Sequence, residues 1–72
     1  MNININIKPL TGAEFTLSVD PGESIDSLKQ KIEPLASIPK DQQVLHIKGR
    51  QIGGGILADY AIKEGDYVNI RP

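Results

Sequence analysis

No cysteine occurs among the 72 residues, which excludes a disulfide framework, a thiolate metal site and a cysteine nucleophile. Tryptophan is absent, and one phenylalanine with two tyrosines makes the aromatic share only 4%. Any core must therefore be largely aliphatic. The single histidine, His46, has no cysteine and no carboxylate at ligand spacing beside it, so no metal and no other cofactor is expected. No run approaches the ~20 apolar residues of a membrane span. The N-terminus alternates Asn with Ile instead of joining a basic segment to an apolar one. A net charge of −1 lacks the overall basic excess that nucleic acid selects, so nucleic acid is not an expected partner. These absences, with the lack of cysteine suiting a reducing compartment, lead to the expectation of a cytoplasmic or nuclear protein without membrane attachment.

What is present suits one folded domain spanning 1–72, with 39% hydrophobic and 24% charged residues. In "NININIKPL", Ile3, Ile5 and Ile7 alternate with Asn2, Asn4 and Asn6, the pattern of a half-buried strand. Pro9 and Gly12 then supply a turn, and Phe15, Leu17 and Val19 alternate in the next strand, making a hairpin. "DPGES" breaks this pattern. Ser24 is a plausible helix N-cap, and Asp26 suits the first turn. Ile25, Leu28, Ile32 and Leu35 follow as one apolar stripe, while Pro34 predicts that the helix ends or kinks near Glu33. "VLHIKGRQI" predicts a strand, a turn at Lys48 and Gly49, and a short strand through Ile52. Gly53–Gly55 reads as permissive backbone, because the Lys-Ser/Thr of a phosphate-binding loop is missing. Leu57, Tyr60 and Ile62 anchor a loop or a single helical turn, with the Tyr60 hydroxyl expected on a backbone partner. After a turn in "KEGD", Val68 and Ile70 alternate with Tyr67, Asn69 and Arg71 in a last strand. The order predicts an α+β fold, one helix on one face of a mixed sheet. Its expected core is Ile5, Phe15, Leu17, Ile25, Leu28, Ile32, Leu45, Ile47, Leu57, Val68 and Ile70.

"PLTGAEFTLSVDPGESIDSLKQKIE", "IPKDQQVLHIKGRQI" and "LADYAI" resemble ubiquitin segment by segment, in the family's order and nearly its spacing. The resemblance covers almost the whole chain and implies a β-grasp fold with a sheet of four to five strands. It also implies a docking face. Ubiquitin partners bury an apolar patch on the outer sheet face, and the matching positions here are Leu10, His46 and Arg71, with Asn69 beside them. Only Leu10 is apolar. Asn6 likewise replaces an aromatic on the first strand. Lys8, Lys48 and Arg50, with Gly49 at the hairpin turn, are expected around His46 with no acidic residue between them, which suits an acidic-surfaced partner. His46 stands at the centre of that face as a candidate contact and pH-responsive group.

Modifiers of the family end in a flexible Gly-Gly tail, whereas the sequence given stops at "NIRP". The expectation is therefore a monomeric, non-covalent interaction domain at the N-terminus of a larger protein, binding ubiquitin-pathway receptors or an acidic protein. The alternatives are a covalent modifier truncated before its tail, or a ubiquitin-like domain touching RNA through its basic face. Ser18, Ser24, Ser27 and Ser37 have no identifiable base, and Asp59 with His46 makes no triad, so no enzyme is expected.

Overall fold

A computed structural model describes residues 1–10 and 12–71; Thr11, within the first ubiquitin-like segment, and Pro72 lie outside the described residues. Strands β1 (Ile3–Pro9), β2 (Phe15–Val19), β3 (Val44–Ile47), β4 (Arg50–Ile52) and β5 (Tyr67–Arg71) form one sheet in the order β2-β1-β5-β3-β4. β1 and β5 run parallel, and the remaining neighbours are antiparallel. Helix α1 (Ile25–Ala36) packs across one face, and 3-10 helices occupy Lys40–Gln42 and Leu57–Tyr60. Among the described residues, no helix is long and apolar enough to cross a membrane.

The alternation of β-branched Ile with Asn sets the β1–β2 register, which pairs Ile5 with Leu17 and Ile7 with Phe15. At the β3–β4 hairpin, Lys48 (φ 51°) and Gly49 (φ 81°) both adopt the left-handed conformation. A two-residue turn of that kind matches strand twist, and glycine takes its place there without strain. Ser24 is extended, and its Oγ accepts a 3.0 Å hydrogen bond from the Ser27 N–H, so it caps α1 as its side chain predicts.

α1 does not end at Glu33 but continues through Pro34. The helix runs on to Ala36, where Ser37 turns left-handed and its N–H donates to the Glu33 carbonyl. Pro34 and Gln30, whose carbonyl loses its helical donor to the proline, are both exposed residues. Leu35 departs from the stripe and is 57% exposed. The turn at Ser37 folds the chain back, and Ala36 and Ile38 pack against the core in its place.

The core is aliphatic: Ile5, Ile7, Val19, Ile25, Leu28, Ile32, Leu45, Ile47, Ile52, Leu57, Ile62, Val68 and Ile70. Phe15 and Leu17, expected within it, are only half-buried because β2 is the outermost strand and covers them from one side. Gly55 does more than loosen the loop. Its φ is 83°, and a Cβ there would stand 2.6 Å from the Asp59 carboxylate. That carboxylate accepts the Ile56 N–H, while the Tyr60 hydroxyl donates to the Gly54 carbonyl. Hydrogen bonds from Leu57 to Glu23 and from Ala58 to Pro21 dock this segment on the start of α1.

Two polar side chains tie the loops to the helix. Gln43 is 3% exposed, and its Nε2 donates to the carbonyls of Lys29 (2.9 Å) and Ile38 (3.0 Å). Gln43→Ala leaves both acceptors short of a donor and should destabilise the fold by about 1 to 3 kcal/mol. Urea denaturation measures this, and an unchanged midpoint would contradict it. Burial raises the Glu23 carboxyl, but hydrogen bonds from Lys31, Ser27 and the Asp20 N–H, with the Lys31 charge, outweigh burial and hold the group below its ordinary value of 4.5. A depressed carboxyl contributes stability at neutral pH and loses it as pH falls through the folded-state value. Glu23→Gln should therefore flatten the loss of stability that follows as pH falls through and below the ordinary value of 4.5. Equal slopes for wild type and variant would rule this out.

Candidate functional site

Alternation places Leu45, Ile47, Val68 and Ile70 against the helix and turns their neighbours to the opposite, outer face of the sheet. The strand register orders those neighbours into rows. Lys8 lies beside Asn69, Asn69 beside His46, and His46 beside Gln51. With strands ~4.8 Å apart, this row of polar side chains spans about 14 Å. The next row on one side pairs Val44 with Arg71, and the next on the other runs Thr16, Asn6, Tyr67. Lys8, Asn69 and Arg71 are exposed, and His46 is half-buried with its Nδ1 shielded from water and without a hydrogen-bond partner among the described residues.

Lys8, Pro9, Leu10, Asn69, Ile70 and Arg71 line a shallow groove of about 160 Å³ where β1 and β5 end. Four residues singled out in the sequence thus converge on one feature. Leu10, 65% exposed, is its apolar rim, and Lys8 with Arg71 supplies positive charge. Such a surface can hold a carboxylate and a small aliphatic group together.

Two expectations about this face need correction. Arg50 is not on it. Arg50 pairs with Ile47 and lies two residues from Ile52, so it shares their inward-facing side, with its guanidinium 6.0 Å from the Tyr60 ring centroid. The alternation of Arg50 with Ile52 was the signal for this. The cations also do not stand apart from acid: Lys48, at the hairpin tip with Gly49, has its Nζ 4.0 Å from Asp66 Oδ2. Asp66 directly precedes β5, and the β3–β5 pairing brings it beside the hairpin. The same carboxylate oxygen accepts the Lys63 N–H at 2.9 Å.

Tyr67 escapes a match to ubiquitin's patch positions. It is 51% exposed on the outer face, and the Lys8 ammonium sits 5.4 Å from its ring centroid. Its partner across the β1–β5 pairing is Asn6. Tyr67 thus places an aromatic in the same row as Asn6. Strand alternation from Val68 and Ile70 already turned Tyr67 outward.

A helix laid across a five-stranded mixed sheet, with the other sheet face polar and exposed, defines a β-grasp domain. The family description "Ubiquitin family" matches residues 5–71, and the chain belongs to that family. It is 34% identical over 67 residues to the ubiquitin-like protein NEDD8 of Dictyostelium discoideum, covering 92% of this chain and 87% of that protein. It is 33% identical over 72 residues to the midnolin homolog of Drosophila melanogaster, spanning all of this chain but 6% of that protein. A ubiquitin domain-containing protein of Arabidopsis thaliana, 7SL RNA2, is 34% identical over 50 residues, 69% of this chain and 19% of its own length. Among solved structures, Caldiarchaeum subterraneum ubiquitin superposes with a TM-score of 0.87 at 23% identity, over 97% of this chain and 91% of that one, which supports the fold.

Proposed function

We propose that the chain is a non-covalent docking module, cytoplasmic or nuclear, whose outer sheet face takes a protein partner with an acidic surface. The register carries this reading. It sets Lys8, Asn69 and His46 in one row, with Arg71 beside it and Leu10 and Tyr67 as apolar contacts. Long-range attraction between the cations and an acidic partner speeds encounter, and the row of amides and imidazole selects a hydrogen-bonding surface over an aliphatic one. A titration of the ¹⁵N-labelled domain with a glutamate-rich helical peptide tests this. Amide shifts are expected at Lys8, His46, Asn69 and Arg71, with affinity falling about tenfold or more between 50 and 300 mM salt. Binding that is indifferent to salt would overturn the reading.

A covalent modifier is the second reading, and the NEDD8 match, which covers 87% of that protein, favours it. The midnolin match, a small part of a much larger protein, favours the first. An N-terminal tag on the protein expressed from its own gene separates them. A modifier gives a ladder of larger adducts that survive boiling in detergent, and a docking module gives a single species.

A further inference from the structure

A second groove opens on the side of the β3–β4 hairpin away from His46, between the hairpin and the 3-10 helix at Leu57–Tyr60. Ile47, Lys48, Arg50, Ile52, Tyr60 and Ala61 line it, and it encloses about 190 Å³. Its floor is apolar, since Ile47 and Ile52 are 3% and 1% exposed and present only their edges to it. Two cations and a tyrosine form its walls. Lys48 is partly neutralised by Asp66 at 4.0 Å. Arg50 is exposed, stands 6.0 Å from the Tyr60 ring, and has no carboxylate partner among the described residues. β4 ends the sheet, so no further strand covers this side.

We propose that this groove is a docking site for an acidic side chain, with an aliphatic neighbour, in a segment of a partner protein. The carboxylate pairs with the Arg50 guanidinium, which can grip it through two parallel N–H groups. The neighbouring aliphatic group covers Ile47, Ile52 and the methyl of Ala61. Size separates this occupant from a small-molecule ligand, because the volume falls below the roughly 300 Å³ at which drug-sized ligands begin. Floor chemistry separates it from an inorganic anion, which would meet Arg50 but leave the isoleucine edges facing water. A glutamate beside a leucine or valine satisfies both parts. The site is distinct from the outer face, because Arg50 shares the side of Ile47 and not that of His46.

The probe is the end-blocked peptide GSELEVEGS, whose charges are side-chain carboxylates alone, titrated into the ¹⁵N-labelled domain beside its counterpart with glutamine for every glutamate. Amide shifts at Ile47, Ile52, Tyr60 and Ala61 are expected with the glutamate peptide and not with the glutamine one. Arg50→Gln, at an exposed position that leaves the core intact, should weaken binding about tenfold or more, and Arg50→Lys should keep part of it. Lys8→Glu with Arg71→Glu should leave these groove shifts in place. Shifts confined to Asn69 and His46 would overturn the groove site while leaving the outer-face reading standing. No groove shift at millimolar peptide, equal binding of the glutamine peptide, or full affinity in Arg50→Gln would also overturn it.

Discussion

Replacing Leu45 with alanine is expected to lower the melting temperature by about 10 to 30 °C, a loss large enough to threaten folding itself. Leu45 is fully buried, paired with Ile52 on one side and Ile70 on the other, so its side chain joins three strands to the helix layer. Truncating a buried leucine removes transfer free energy and leaves a cavity, together about 2 to 5 kcal/mol. A domain of this size has little more than that to lose. His46, the next residue along the same strand, faces the other way, and His46→Ala should stay within about 1 kcal/mol of wild type. Thermal denaturation of the two variants is thus a test of register. A one-residue slip of β3 would exchange their effects, and similar losses for both would contradict the register described.

Reversing two charges on the outer face should produce the largest binding effect. Lys8 and Arg71 stand on the same groove, with Asn69 between them, and no described carboxylate pairs with either. Lys8→Glu with Arg71→Glu turns two attractions into two repulsions, and affinity for an acidic probe should fall on the order of 100-fold. The fold should be spared, because both side chains are exposed and make none of the core contacts. The loss should fall mainly on the association rate and shrink as salt rises. Stopped-flow association at two salt concentrations measures it. A drop confined to the dissociation rate would point to lost close contacts, not to lost steering.

Much of the architecture was legible because it rests on local patterns. Ile3, Ile5 and Ile7 alternating with asparagine mark a half-buried strand, Lys48-Gly49 marks a tight hairpin, and Ser24 marks a helix start. Less legible were features that depend on distant pairing. Asp66 approaches Lys48 only because β5 returns between β1 and β3, and no short-range signal places those residues together. Leu35 satisfies the helical stripe and is still exposed, since the left-handed turn at Ser37 brings Ile38 into its place. Pro34 marks the helix end only loosely, since α1 runs past Glu33 to Ala36 before the left-handed turn at Ser37. At the site, alternation correctly set His46, Asn69 and Arg71 on one face. Arg50 is misplaced when grouped with the nearby cations, because its own alternation with Ile52 turns it to the other side. Tyr67 lies outside the positions matched to the family's patch, and strand alternation alone marks it as an outward contact.

The proposed binding at the outer face rests on one property, a preference for a polar, acidic partner over an aliphatic one. The most direct test is an NMR titration with a generic ubiquitin-receptor helix, comparing wild type with His46→Ile plus Arg71→Val. Such a receptor would have to desolvate an imidazole and a guanidinium on the wild-type face without pairing them, which costs several kcal/mol or prevents burial. Weak or absent binding to wild type and a gain of about tenfold or more in the double variant is the expected result. Equal affinity of the two proteins for that helix would contradict the preference.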